Sequence, residues 1–128
     1  MSYLIDTDWI ISFLNGRPAA VEFVGSLHVE QIHVSVVSCG EVLEGVQHPD
    51  ASDKLRQFAS LASELSLLPV NLNVAQAYAR ERARLRATGM LVPENDLWIA
   101  ATALVHDLQL VSGDQHFSRI HGLKRYSP

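Results

Sequence analysis

The sequence predicts an α/β fold, a three-layer α/β/α sandwich around a central, mainly parallel sheet of four to five strands. Three observations point there. Short apolar or β-branched runs alternate with runs of helical period, and strands separated by helices pair in parallel through crossover connections. Hydrophobic residues make up 48% of the 128 residues and charged ones 19%, enough apolar mass for a packed core and too much for a disordered chain. No repeat, low-complexity tract or Pro/Gly-rich linker divides the chain, so residues 1–128 are expected to form a single domain.

Taken in order, residues 2–6 read as a short buried strand. Thr7 or Asp8 starts a helix to about residue 14, where Asn15-Gly16 stops it. Pro18 suits the first turn of a second helix, running to about residue 27. QIHVSVVS, residues 31–38, alternates and is β-branched, as strands are, and Ser38 is placed to cap a helix carrying Glu41, Val42 and Val46. His48-Pro49-Asp50 is a turn, residues 50–65 repeat apolar positions at helical spacing, and LSLLPV at 65–70 is a further strand. Asn73 caps a helix to about residue 88, closed by Gly89. Pro93-Glu94-Asn95 opens another helix, through residue 106. LQLVS, residues 108–112, is a strand leading to Gly113-Asp114, and a last short strand is expected near residues 123–126.

Composition narrows the function classes. The longest nearly apolar stretch, residues 97–105, is too short to span a bilayer, and the N-terminus lacks the basic and apolar regions of a signal sequence. Cys39 is the lone cysteine, so no internal disulfide forms and a reducing cytoplasm is expected. A net charge of −4 does not advertise a nucleic-acid binder, yet the basic side chains are eight Arg against only Lys54 and Lys124. Four of those Arg, at 80, 82, 84 and 86, share one helix, where they either meet phosphate or face solvent with Glu81 among them.

Ligands of parallel α/β sheets sit beyond the C-terminal ends of the strands, near a switch in strand order. Asp6 falls where the first strand ends. Glu41 falls in the opening turn of the helix after the second strand, Asp96 in the first turn of ENDLWIAATALVHD, and Asp114 just after LQLVSG. Each acid alone also reads as a helix cap, a turn residue or a solvated face. Together they map to one sheet edge, where two carboxylates about 4 Å apart repel by roughly 4 kcal/mol at an effective dielectric near 20. Such a cluster either holds protons at raised pKa or binds cations. Oxygen donors without partnering Cys or His suit Mg²⁺ or Mn²⁺ rather than zinc, and the chemistry that follows is phosphodiester hydrolysis.

LIDTDWIISFLNG, VSVVSCGEVLEGV and ENDLWIAATALVHDLQLVSGDQHFSRI resemble, in order and spacing, the signature segments of PIN-domain ribonucleases, most closely the VapC-type toxins of bacterial type II toxin–antitoxin systems. The matched segments take up about half the chain, and their order extends the likeness across almost all of it. The resemblance implies a PIN-like sandwich and a metal-dependent endoribonuclease acting on RNA such as tRNA or rRNA. It implies that Asp6, Glu41 and Asp96 hold Mg²⁺ or Mn²⁺, that Asp114 completes the pocket, and that Thr7 and Ser112 orient carboxylates or waters beside them. It also implies a homodimer and a cognate antitoxin, with the early helices around Trp9, Phe13 and Phe23 building the dimer and receiving that antitoxin. The family often has Asn after the Thr or Ser at 112, where this chain has Gly113.

Two other readings compete. A phosphatase using Asp6-x-Asp8 wants a well-placed Lys, which Lys54 and Lys124 do not offer. A non-catalytic PIN-like module that binds RNA or protein gains nothing from four acids facing phosphate. Of the remaining residues, His116 is read as a loop His beside Phe117, with phosphate contact or an acid role as its alternative, His33 as a strand residue that packs or makes one structural hydrogen bond, Trp98 as core, and Cys39 as a small buried thiol.

Overall fold

The computed structural model describes residues 1–127. Five parallel strands lie in the order β3-β2-β1-β4-β5, with β1 at Tyr3–Ile5, β2 at Ile32–Ser35, β3 at Ser66–Leu68, β4 at Gln109–Val111 and β5 at Arg125–Tyr126. Side chains alternate across the sheet as the two-residue strand period requires. Leu4 and Leu110 enter one core with Leu85, Leu97, Ile99 and Phe117, whereas Ile5, Ile32, Val34 and Val111 enter the other with Ile10, Val42 and Phe58. Helices α5 (Leu72–Thr88) and α6 (Glu94–Val105) supply the first layer. Helices α1 (Thr7–Leu14), α2 (Pro18–Gly25) and α4 (Ser52–Glu64) supply the second, joined by Cys39 and Val42 of α3 (Val36–Glu44). The sandwich is three-layered and its sheet is wholly parallel.

The strand order decides where a ligand can sit. The chain moves outward from β1 through β2 to β3, then returns across to β4 on the other side of β1. Loops leaving β1 and β4 therefore part in opposite directions and open a notch at their C-terminal ends.

Local chemistry explains most boundaries. Gly16 (φ +71°) and Gly89 (φ +69°) take the left-handed conformation that ends α1 and α5, at positions open enough that only backbone strain disfavours a larger residue. Pro18 opens α2 at its first position, and α2 ends at Gly25, two residues before the sequence pattern suggests. Two caps differ from the sequence reading. The helix expected from Ser38 starts at Val36, because Ser35, buried at the end of β2, accepts from Val37 N at 3.1 Å. Val36 and Val37 prolong the β-branched run that suggests a longer strand. The earlier start moves Glu41 from the opening turn of α3 into its second. Likewise Asn71, not Asn73, caps α5 by accepting from Val74 N at 3.0 Å. The expected His48-Pro49-Asp50 turn is a short 3-10 segment at Pro49–Ala51.

The capping assignment separates two serines. Ser35→Ala removes a cap and should cost about 1 kcal/mol. Ser38, fully buried with its hydroxyl unpartnered, should tolerate alanine with no loss or a small gain. Urea unfolding of both variants checks the order.

Candidate active site

Asp6 is fixed at the notch by backbone and side chain together. Its N–H donates to Val111 O at 3.0 Å, so the carboxylate leaves β1 directly beside the end of β4. Its Oδ1 accepts from Thr7 N at 2.8 Å and caps α1, while Oδ2 accepts from Ser112 Oγ at 2.6 Å. Ser112 Oγ in turn accepts from Asp114 N at 3.0 Å. On the opposite side, Thr7 Oγ1 donates to Glu41 Oε1 at 2.6 Å, tying the start of α1 to α3. Asp114 caps a short 3-10 segment, Gln115–Arg119, by accepting from His116 N at 2.9 Å. His116 Nδ1 lies 3.0 Å from Asp114 Oδ1 and 3.4 Å from Asp96 Oδ2, in the first turn of α6. Oxygen from Asp96, oxygen from Asp114 and nitrogen from His116 lie within 4.8 Å of one another. Ser112 links Asp6 to Asp114 and Thr7 links Asp6 to Glu41, so four acids from four separate segments border one notch, of which Asp96 and Asp114 form the close group with His116.

These carboxylates feel one another. Burial pushes the Asp6 carboxyl from the ordinary 3.8 up to about 7, with Asp8 and Asp96 adding repulsion and the Ser112 and Thr7 hydrogen bonds opposing it. Only 5% of Asp6 is exposed, so water does little to screen it. Asp96 is raised by burial first, then by the charges of Asp114 and Glu41, an effect offset in part by His116. Among the described residues no Lys or Arg forms an ion pair with these four acids. Lys124 pairs with Asp107, Arg84 with Glu81 and Arg56 with Asp53.

Several residues sit differently from the sequence reading. Asp8, read from the sequence as a helix start or a phosphatase acid, accepts from Trp9 N at 2.8 Å and from Gly113 N at 3.1 Å, so it clamps the loop after β4 onto α1. The D-x-D spacing was the available signal for it. Lys54 donates to Leu14 O at 2.7 Å and Lys124 pairs with Asp107, which leaves a phosphatase without its lysine. Arg84 bonds Glu81 and also donates to Arg119 O at 2.6 Å, so it braces α5 against the loop before β5. Trp98 is half-buried rather than core, stacked on Tyr78 with ring centres 3.7 Å apart. His116, expected as a loop residue, faces the acids; its two-residue offset from Asp114 on a tight 3-10 turn is what turns it there.

The PIN domain model matches residues 3–123. The chain belongs to the PIN-domain family. Ribonuclease VapC5 of Mycobacterium tuberculosis is 30% identical over 122 residues, which span 93% of this chain and 87% of that protein. Ribonuclease VapC4 of the same organism is 35% identical over 88 residues, 66% of this chain and 68% of the relative. Among solved structures, DNA-bound VapBC from Salmonella typhimurium superposes with a TM-score of 0.91 at 22% identity, covering 99% of this chain and 98% of that one. That likeness supports the PIN-like α/β/α fold.

The residues fit a divalent cation, the group the family implies. Donors are carboxylate oxygens, no Lys or Arg pairs with them among the described residues, and His116 Nδ1 is buried without an aligned hydrogen-bond partner beside two of them. The protonated state of Asp6 supplies a test in metal-free buffer. The folded protein binds more protons than the unfolded chain between about pH 4 and pH 7, so stability falls as pH rises through that window. Asp6→Asn should flatten this dependence and be more stable than wild type by about 1–3 kcal/mol above pH 7. Chemical denaturation across pH 4–8 in EDTA reads both effects.

Proposed function

We propose that the chain is a metal-dependent endoribonuclease toxin that hydrolyses RNA phosphodiester bonds, tRNA or rRNA among them, and is restrained by a cognate antitoxin. The observation that carries this reading is the gathering of Asp6, Glu41, Asp96 and Asp114 at one notch, where among the described residues no Lys or Arg pairs with them and His116 is the basic group in contact. The relatives named Ribonuclease VapC support the activity, and the solved VapBC complexes support a protein partner. We take residues 1–128 as a single PIN domain.

Asp6, Glu41, Asp96 and Asp114 are the residues we assign to hold Mg²⁺ or Mn²⁺. When bound, the ion supplies Lewis acidity toward the phosphodiester and acidifies water at the scissile phosphorus. The chain's own contribution is orientation. Ser112 and Thr7 each spend a hydroxyl proton on one carboxylate oxygen, which aims the remaining lone pairs of Asp6 and Glu41 into the notch. Asp8 and Ser112 hold the loop after β4, so Asp114 cannot drift from Asp96. A groove of about 300 Å³ lined by Ser112, Asp114, Gln115 and Arg125 borders the acids, and Arg125 offers it a guanidinium for a neighbouring RNA phosphate. Water as nucleophile dispenses with the RNA 2′-hydroxyl, so products carry 5′-phosphates.

The antitoxin has an apolar landing place on α1. A cavity of about 230 Å³ lined by Ile11, Leu14, Val42 and Val46 lies beside that helix, and Ile11 is 41% exposed. We take this surface, with the half-buried Trp9–Phe23 aromatic contact between α1 and α2, as where the antitoxin docks and where a homodimer forms. No helix is long and apolar enough to cross a membrane.

Cleavage of total RNA should require Mg²⁺ or Mn²⁺, stop in EDTA, and fall by about 10²–10³ in Asp6→Asn and Asp96→Asn while both variants stay folded. Sequencing of RNA 5′ ends against the wild type reads the outcome. Equal cleavage by the variants, or 5′-hydroxyl products, would contradict the proposal.

A further inference from the structure

His116 is the one group in the notch that the proposed reaction leaves without a task. Its side chain is 42% exposed, so an ion can reach it, yet Nδ1 itself is buried and faces Asp114 Oδ1 at 3.0 Å and Asp96 Oδ2 at 3.4 Å. Both oxygens lie within ion-pair distance, yet Nδ1 makes no hydrogen bond of good geometry to either. In the tautomer that carries its proton on Nε2, Nδ1 is an acceptor beside two carboxylate oxygens, and three acceptors at this spacing repel unless a proton or a cation sits among them. The spacing suits a cation. Bonds of about 2.1 Å to an octahedral ion set neighbouring donors about 3.0 Å apart. The backbone holds the ring there, because His116 N donates to Asp114 Oδ1 and Phe117, fully buried, anchors the next position of the turn.

Resting on the metal-nuclease reading above, we infer that His116 Nδ1 is a nitrogen ligand that joins Asp96 and Asp114 around a divalent ion and shifts the site from Mg²⁺ toward imidazole-accepting transition ions such as Mn²⁺. An all-oxygen pocket suits a hard ion that keeps its waters, whereas one imidazole raises the affinity of ions further along the first transition row far more than that of Mg²⁺. His116 thereby sets the metal preference of the site and does not itself touch RNA.

The test uses the whole chain, stripped of metal and loaded with Mn²⁺ alone, with Mg²⁺ as competitor. Electron spin-echo modulation of bound Mn²⁺ should carry the signature of directly coordinated ¹⁴N in the wild type and lose it in both His116→Ala and His116→Phe. In the same variants the preference for Mn²⁺ over Mg²⁺, read from competition, should drop about tenfold or more, with urea unfolding confirming that each is folded. Bound Mn²⁺ without nitrogen modulation, modulation that survives both substitutions, or an unchanged preference would overturn the role of His116 and leave the nuclease reading standing. Wild type that binds neither ion would overturn both.

Discussion

Asp6 sits where a carboxylate in an open parallel sheet can be buried and still reach a ligand, at the parting of loops where strand order reverses. Its amide extends the β1–β4 ladder, its side chain caps α1 and takes the Ser112 hydroxyl, and 5% of its surface meets water. The fold has used every local means of stabilising a negative charge there, a helix N-terminus and two hydrogen bonds, and the carboxyl still holds its proton up to about pH 7. Burial wins over hydrogen bonding at this position. A divalent cation answers that imbalance more completely than any arrangement of the side chains present.

The other parts of the notch follow from that constraint. Glu41 and Asp114 are each linked to Asp6 through a single hydroxyl-bearing residue, Thr7 or Ser112, so α3 and the loop after β4 are registered to the same carboxylate. Asp8 adds a second tie to Gly113, which keeps the loop seated against α1. Capping a helix does not use up these carboxylates. The same lone pairs that satisfy orphan helix N–H groups fix the direction of those left for an ion.

Much of this was legible in the sequence because it rests on local chemistry. The apolar run ending at Asp6, the Asn15-Gly16 stop and Gly89 after Thr88 each declare an element boundary through backbone preferences that tertiary packing does not override. Val36 and Val37 misled for the opposite reason. Their β-branched side chains suit a strand, but Ser35 supplies a cap one residue earlier and α3 begins at once. Asn71 and Asn73 are equally good caps in composition, and only the fold selects the first. The acids could be placed at one sheet edge from order alone. The contacts of Asp8, Arg84 and His116 could not, because each crosses between segments far apart in the chain, at Gly113, Arg119 and Asp96.

Thermal unfolding of the metal-free protein during a Mg²⁺ or Mn²⁺ titration at constant ionic strength probes the central claim most directly. If the crowded carboxylates form a cation site, Tm rises with the logarithm of ion concentration in the wild type, and the rise is lost in Asp96→Asn. A Tm indifferent to either ion, or one that climbs equally in the variant, would mean that the notch holds its charges by some other route.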